Sequence, residues 1–155
     1  PVRAIYGGGR NQPANLPFDD IVFVNIASKG NTTTFGNLTR LTIALSGSAN
    51  SVRGIFAGGT VPGGVDTSEI NYITMASEGN ATDFGKLEIA REYPAATANQ
   101  TRSLIAGGNT SPAKVNNVDF ITIASTGNSA DFGDLTEVRQ EFSGCSDSHG
   151  GLGGF

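Results

Sequence analysis

Apolar residues in this chain come in short runs, none longer than about six, separated by clusters of Gly, Asn, Ser, Thr and Pro. β-Branched and aromatic runs of this length, bounded by turn residues, predict strands. At residues 21–26, 70–75 and 118–123 the apolar positions are nearly continuous, with Tyr72 and Phe120 standing between Ile or Val. Such runs predict strands buried on both faces. No stretch of useful length carries a helical period. Residues 86–92 hold helix formers, but the matching segments 37–43 and 134–140 do not, so strand is predicted there as well.

The pattern repeats. A Ser-x-Gly-Asn…Phe-Gly phrase fills 27–36, 76–85 and 124–133, and Phe35, Phe84 and Phe132 are spaced by 49 and 48 residues. An Arg-led apolar run into a Gly pair fills 3–9, 53–59 and 102–108, with a worn fourth copy at 149–155. A fixed period of this size is the mark of a repeat architecture. The chain therefore reads as a single domain over 1–155, with repeats at 3–52, 53–101 and 102–148 and a partial fourth at 149–155.

Each repeat divides alike. The run into the Gly pair is one strand. A variable loop follows at 10–18, 60–68 and 109–117, carrying Pro13, Pro17, Pro62 and Pro112. The near-continuous apolar strand comes next. The Ser-x-Gly-Asn phrase then predicts a hairpin connection, in which Gly30, Gly79 and Gly127 are free to adopt left-handed backbone. Phe-Gly opens a third strand at 35–41, 84–90 and 132–138. Small residues at 45–50, 93–99 and 142–148 predict a fourth, in a crowded place. The expectation is an all-β fold of three repeats of about 49 residues, each with four short antiparallel strands.

Gly58-Gly59, Tyr72, Phe84 and Arg91 stand in one order, and Gly107-Gly108, Phe120, Phe132 and Arg139 repeat it. This ordered set resembles the blades of kelch-type β-propellers. It is also similar to kelch-like repeats of bacteriophage structural proteins. The chain departs from the kelch pattern in having Phe where those blades have Trp, and Thr42 where Arg91 and Arg139 stand. The resemblance implies propeller blades. Propellers close with about four to eight blades, and open sheet edges invite association. Self-association is therefore expected, as two copies giving six blades or as a fibre. The spare innermost strand at 142–148 would complete the 3–41 blade of a partner. A β-trefoil is the rival, with three four-strand repeats in a chain of this length.

Composition fits turn-rich β structure: 22 Gly, no Trp and 15% charged residues in 155. A net charge of −4 argues against nucleic acid or an anionic membrane surface as partner. No apolar run is long enough to span a membrane, and no leader segment is expected. The start at Pro1 fits loss of an initiator Met, or a piece of something longer. A single cysteine, Cys145, excludes an internal disulfide.

Candidate chemistry is sparse. Cys145 and His149 are the sole Cys and His, too few for a triad or a zinc site. The copper site of some kelch-type propellers, which needs several His and Tyr ligands, is not expected for the same reason. Asp83 and Asp131 precede the repeated Phe and are expected to accept hydrogen bonds from turn backbone. Asp19, Asp20, Asp66 and Asp119 lack calcium-loop spacing. The Gly pairs lack a phosphate-loop sequence and predict close backbone packing instead. The five glycosylation sequons, at Asn31, Asn37, Asn80, Asn99 and Asn109, matter only in a eukaryotic secretory pathway. The arginines Arg3, Arg53, Arg102, Arg91 and Arg139 recur; they are candidates to bridge neighbouring blades or to face a ligand, and bridging is favoured. No catalytic residue, cofactor or metal is assigned.

The expected function is a non-enzymatic structural or binding module of a phage particle, virion or other extracellular assembly, presenting the variable loops. A glycan or a host-surface receptor is the expected partner class. The alternatives are a carbohydrate-binding lectin with one site per repeat, and a fragment of a larger propeller enzyme.

Overall fold

The computed structural model describes residues 3–147. Within them the protein is all-β, built as three antiparallel sheets in succession along the chain. The first holds β1 (Arg3–Gly7), β2 (Asp20–Asn25) and β3 (Thr33–Asn37). The second holds β4 (Ser46–Ala49), β5 (Arg53–Ala57), β8 (Glu69–Thr74) and β9 (Thr82–Lys86). The third holds β10 (Ala95–Ala98), β11 (Arg102–Ala106), β12 (Asn117–Thr122) and β13 (Ala130–Asp134). Between β5 and β8 a short hairpin of β6 (Thr60–Val61) and β7 (Val65–Asp66) rises from the second loop.

Strands pair with their neighbours in order inside each sheet. No barrel shared by the three repeats, as a trefoil requires, is present among the described residues. The small-residue strand does not close the repeat it follows in sequence; it opens the next sheet. Thus β4 pairs with β5, Ser46 opposite Ala57, and β10 with β11, Ala95 opposite Ala106. Among the described residues the first sheet has no such strand, and β1 is its outermost strand.

The third strands are shorter than predicted and begin before the Phe. They stop at Asn37, Lys86 and Asp134, because the chain there leaves its own ladder to cross to the next sheet. Leu87 N–H still donates to the Ser68 carbonyl beside its own ladder at 2.7 Å, but the next amide, Glu88 N–H, donates to Asp119 Oδ2 of the third sheet at 3.1 Å. The segment 142–147, predicted as the start of a fourth strand, forms no strand among the described residues; residue 148 and the fourth copy at 149–155 lie outside them.

Each third strand carries a β-bulge at its Phe. In the second sheet Ile70 faces Gly85 and Asn71 faces Asp83, so Phe84 is the extra residue. The same skip falls at Phe35 and Phe132. A bulge re-aims one side chain out of the two-residue alternation. It turns Phe35 and Phe84 into the spaces between sheets, where both are 3% exposed. Two clusters result. Ile21, Phe35, Leu38, Phe56, Ile73 and Met75 lie between the first and second sheets. Ile55, Ile70, Phe84, Leu87, Ile105 and Ile121 lie between the second and third. The core is thus a pair of layers, each shared by two repeats, and no repeat has a core of its own.

Candidate functional site

The residues that recur most faithfully are those that join one sheet to the next. The Ser-x-Gly-Asn phrase does connect two strands of a hairpin, as predicted, but its polar groups reach across a repeat. Gly79 N–H donates to the Phe35 carbonyl at 2.9 Å and Ala81 N–H to the Asn37 carbonyl at 2.8 Å. Asn80 Oδ1 accepts from Asn37 N–H at 3.0 Å. The next joint copies it: Gly127 N–H to Phe84, Ser129 N–H to Lys86, and Lys86 N–H to Asn128 Oδ1, all between 2.8 and 3.1 Å. A Cβ at Gly36 or Gly85 would collide with the carbonyl of Gly79 or Gly127. That contact favours Gly after Phe at Gly36 and Gly85, and a positive φ of 152° at Gly85 and 140° at Gly133 favours it as well.

The repeated arginines also work at these joints. Arg3, Arg53 and Arg102 each lie over an aromatic ring of their own sheet, Phe23, Tyr72 and Phe120, at 4.6, 4.5 and 5.0 Å. Arg3 Nη1 donates to the Met75 carbonyl at 3.3 Å, and Arg53 Nη1 to the Ile123 carbonyl at 2.7 Å, each in the following sheet. Arg91 is fully buried. Its Nη2 donates to the Ile105 carbonyl at 3.0 Å and pairs with Asp119 Oδ1 at 3.2 Å, both in the third sheet. Asp119 Oδ2 accepts from Ser129 Oγ at 2.7 Å and from Glu88 N–H. Arg91 Nε and Nη1 find no partner among the described residues, so this buried pair bears an uncompensated desolvation cost. Arg139, the third-repeat counterpart, is exposed.

Asp119 was passed over in the sequence, though a signal was present. Where the first joint has Thr42 in place of Arg91, Asn71 stands in place of Asp119. The charged pair and its neutral replacement change together. Asn71 Oδ1 accepts from Thr39 N–H at 3.1 Å and Thr39 Oγ1 at 2.7 Å, as Asp119 accepts from Glu88 N–H.

Asp131 Oδ1 accepts from Gly133 N–H at 3.1 Å, as predicted for turn backbone, whereas Asp83 is simply exposed. The Gly pairs do pack backbone to backbone: Gly58 has φ 68°, and Gly59 N–H donates to the Arg91 carbonyl at 2.8 Å. Cys145 is exposed, and His149 lies outside the described residues. Among the described residues no three His, Cys, Asp or Glu gather as a metal site would need. Among the described residues no helix is long and apolar enough to cross a membrane.

The variable loops all follow the Gly pair and so emerge at the same end of their sheets. The second and third meet there. Thr60 Oγ1 donates to Glu92 Oε2 at 2.6 Å, and Asn109 Nδ2 to Glu92 Oε1 at 3.0 Å. Asp66, beside Thr60, has its carboxyl raised above the ordinary 3.8, first by burial and then by the charge of Glu92. Beyond these ties the hairpin tip is open: Pro62, Gly63, Gly64 and Val65 are exposed. This end offers hydrogen-bonding groups on a fixed frame, which suits recognition.

Compared with known proteins, the chain matches no family model, and none of the curated proteins matches it.

Proposed function

We propose that this protein is a non-enzymatic structural or binding module. Its sheets act as kelch-like propeller blades, and it serves as a component of a phage particle, virion or other extracellular assembly. One observation carries the reading. The polar residues that recur, the Gly-Asn turn and the arginines Arg3 and Arg53, are engaged in joining sheets, as is the Arg91–Asp119 pair of the second joint, whereas the segments that differ between repeats lie at the open Gly-pair end. A rigid frame with divergent loops is the usual division of labour in a recognition module. The loops at 10–18, 60–68 and 109–117 are the presenting surface, and a glycan or a host-surface protein is the partner class.

The test is a binding screen of the full chain against immobilised glycans and host-surface proteins. It is repeated with all three loop tips replaced by Gly-Ser of equal length. Binding that disappears with the tips, while the β circular-dichroism spectrum stays, is expected. No binding by the unaltered chain, or binding that survives the replacement, would refute loop presentation.

A further inference from the structure

The two joints differ at one buried place, and backbone hydrogen bonds show which residues correspond there. Thr42 N–H donates to the Phe18 carbonyl, Arg91 N–H to the Thr67 carbonyl and Arg139 N–H to the Val115 carbonyl. Thr42 therefore stands where Arg91 does, and Thr67 where Val115 does. Asn71 faces Phe56 across the ladder as Asp119 faces Ile105, each just past a β-bulge. Glu69, two residues before Asn71, corresponds to Asn117.

At the second joint the Arg91 side chain fills this place, bonded to Asp119 and the Ile105 carbonyl. Thr42 is too short to reach across the first joint in the same way. Phe56, larger than Ile105, takes up part of the room. What remains is a cavity with about 10 Å³ for the centre of a water molecule. Thr42, Thr67, Glu69 and Asn71 supply its polar wall, and Leu38 and Phe56 help to close it. An apolar cavity stays dry, whereas a polar one of about this size holds a single water when about two to four groups can bond it.

Such groups are present. Asn71 is 6% exposed. Its Oδ1 accepts from Thr39 N–H at 3.1 Å and from Thr39 Oγ1 at 2.7 Å. A backbone N–H can be met only by the amide oxygen, so the orientation of this side chain is set by its bonds. Asn71 Nδ2 donates to no described residue. The fully enclosed side-chain atoms without a partner all belong to Arg91 among the described residues, so Asn71 Nδ2 keeps surface that a water can touch. Thr67 is 9% exposed; its Oγ1 accepts from Glu69 N–H at 3.1 Å, and its own O–H has no acceptor among the described residues. Thr42 Oγ1 donates to the Arg40 carbonyl at 3.1 Å and keeps a lone pair to offer. Glu69 is paired with Arg40 through Oε1, which leaves Oε2 as a further acceptor.

We infer that the first joint binds one structural water in this cavity. The water accepts from Asn71 Nδ2 and from the Thr67 hydroxyl, and it donates to Thr42 Oγ1 and to the Glu69 carboxylate. Two bonds received and two given use both of its lone pairs and both of its hydrogens. The water thus carries from the linker at Thr42 to β8 the tie that Arg91 makes directly one repeat later. The residue pattern supports this independently. Where Arg91 fills the place, Val115 and Asn117 replace Thr67 and Glu69, so the hydroxyl and the carboxylate that would hold a water are gone. The inference stands on the correspondence of the two joints and holds whatever the loops bind.

The experiment is a crystal structure of the full chain at a resolution that shows ordered water. One density peak is expected within hydrogen-bonding distance of Asn71 Nδ2 and of at least two of Thr42, Thr67 and Glu69. Flat density beside an ordered Asn71 would overturn the site, as would a peak bonded to Glu69 alone at the surface. In solution, magnetic relaxation dispersion of the water oxygen counts long-lived water molecules rather than exchanging protons. Thr67→Val and Asn71→Leu are measured beside the unaltered chain, with retention of the β spectrum as the check on folding. The dispersion amplitude is expected to fall by one molecule per chain in a folded variant. Amplitudes unchanged in both would contradict the inference.

Discussion

The Arg91–Asp119 pair gives the sharpest perturbation, because the chain carries its own neutral version one repeat earlier. Asp119→Asn leaves a guanidinium that is 0% exposed without its carboxylate. Breaking a buried pair from one side costs about 3–5 kcal/mol. Arg91→Thr leaves Asp119 with the Glu88 N–H and Ser129 hydroxyl as donors, and opens a void where the long side chain lay. A loss of about 2–5 kcal/mol is expected from that void and the weakened carboxylate. The double variant rebuilds the Thr42 and Asn71 arrangement, in which the amide oxygen still accepts from the backbone N–H at the head of the linker. Its loss should fall short of the sum of the two singles by about 1–3 kcal/mol. Urea denaturation at fixed protein concentration measures this, with unchanged slopes as the check that the unfolded states are alike. Additivity within about 0.5 kcal/mol would refute the claim that the two positions act as one unit across the joint.

Phe84→Ala should destabilise by about 3–5 kcal/mol, since the ring is buried and meets Tyr72 edge-on at 5.9 Å; Phe132→Ala, measured by denaturation of dilute samples, should stay within about 1 kcal/mol. Gly85→Ala and Gly133→Ala impose a side chain at φ 152° and 140°, but only the first drives a Cβ into the next repeat; its unfolding free energy should fall further by about 1–3 kcal/mol, and equal losses would deny the close approach. Asp66 binds its proton more readily in the folded than in the unfolded chain, so its penalty is full above the raised pKa and fades as pH falls through that pKa towards 3.8. Asp66→Asn should therefore raise the melting temperature near neutral pH and lose that gain near the ordinary carboxylate pKa; a gain equal at both pH values would be evidence against burial as the cause.

Local patterning carried the strands well. The runs into the Gly pairs were found where they lie, and β2, β8 and β12 lie one residue from their predicted limits, because burial on both faces writes a continuous apolar signal. The predicted third strands were too long, since nothing in the composition of 86–92 marks where Glu88 leaves the ladder for the next sheet. The joints were legible only in part. That Arg53 and Arg91 bridge repeats followed from their recurrence, but the hydrogen bonds from Gly79 N–H to Phe35 and from Asn37 N–H to Asn80 Oδ1 span more than forty residues and leave no local trace. The Ser-x-Gly-Asn phrase looked like turn chemistry because Gly and Asn serve turns so often. Its Phe-Gly partner belonged to the same lock, one repeat away.

The role of that phrase is tested most directly by native-state hydrogen exchange at four amides: Gly79, Ala81, Gly127 and Ser129. Two of them, Gly79 and Gly127, sit at the accessible surface of a connecting turn, where a free loop amide would exchange almost as fast as an unfolded chain. As the joint between sheets, all four should exchange as slowly as ladder amides of β8 and β12. Exchange at open-loop rates, with the ladders protected, would contradict the assignment of the phrase as the fastener of one repeat to the next.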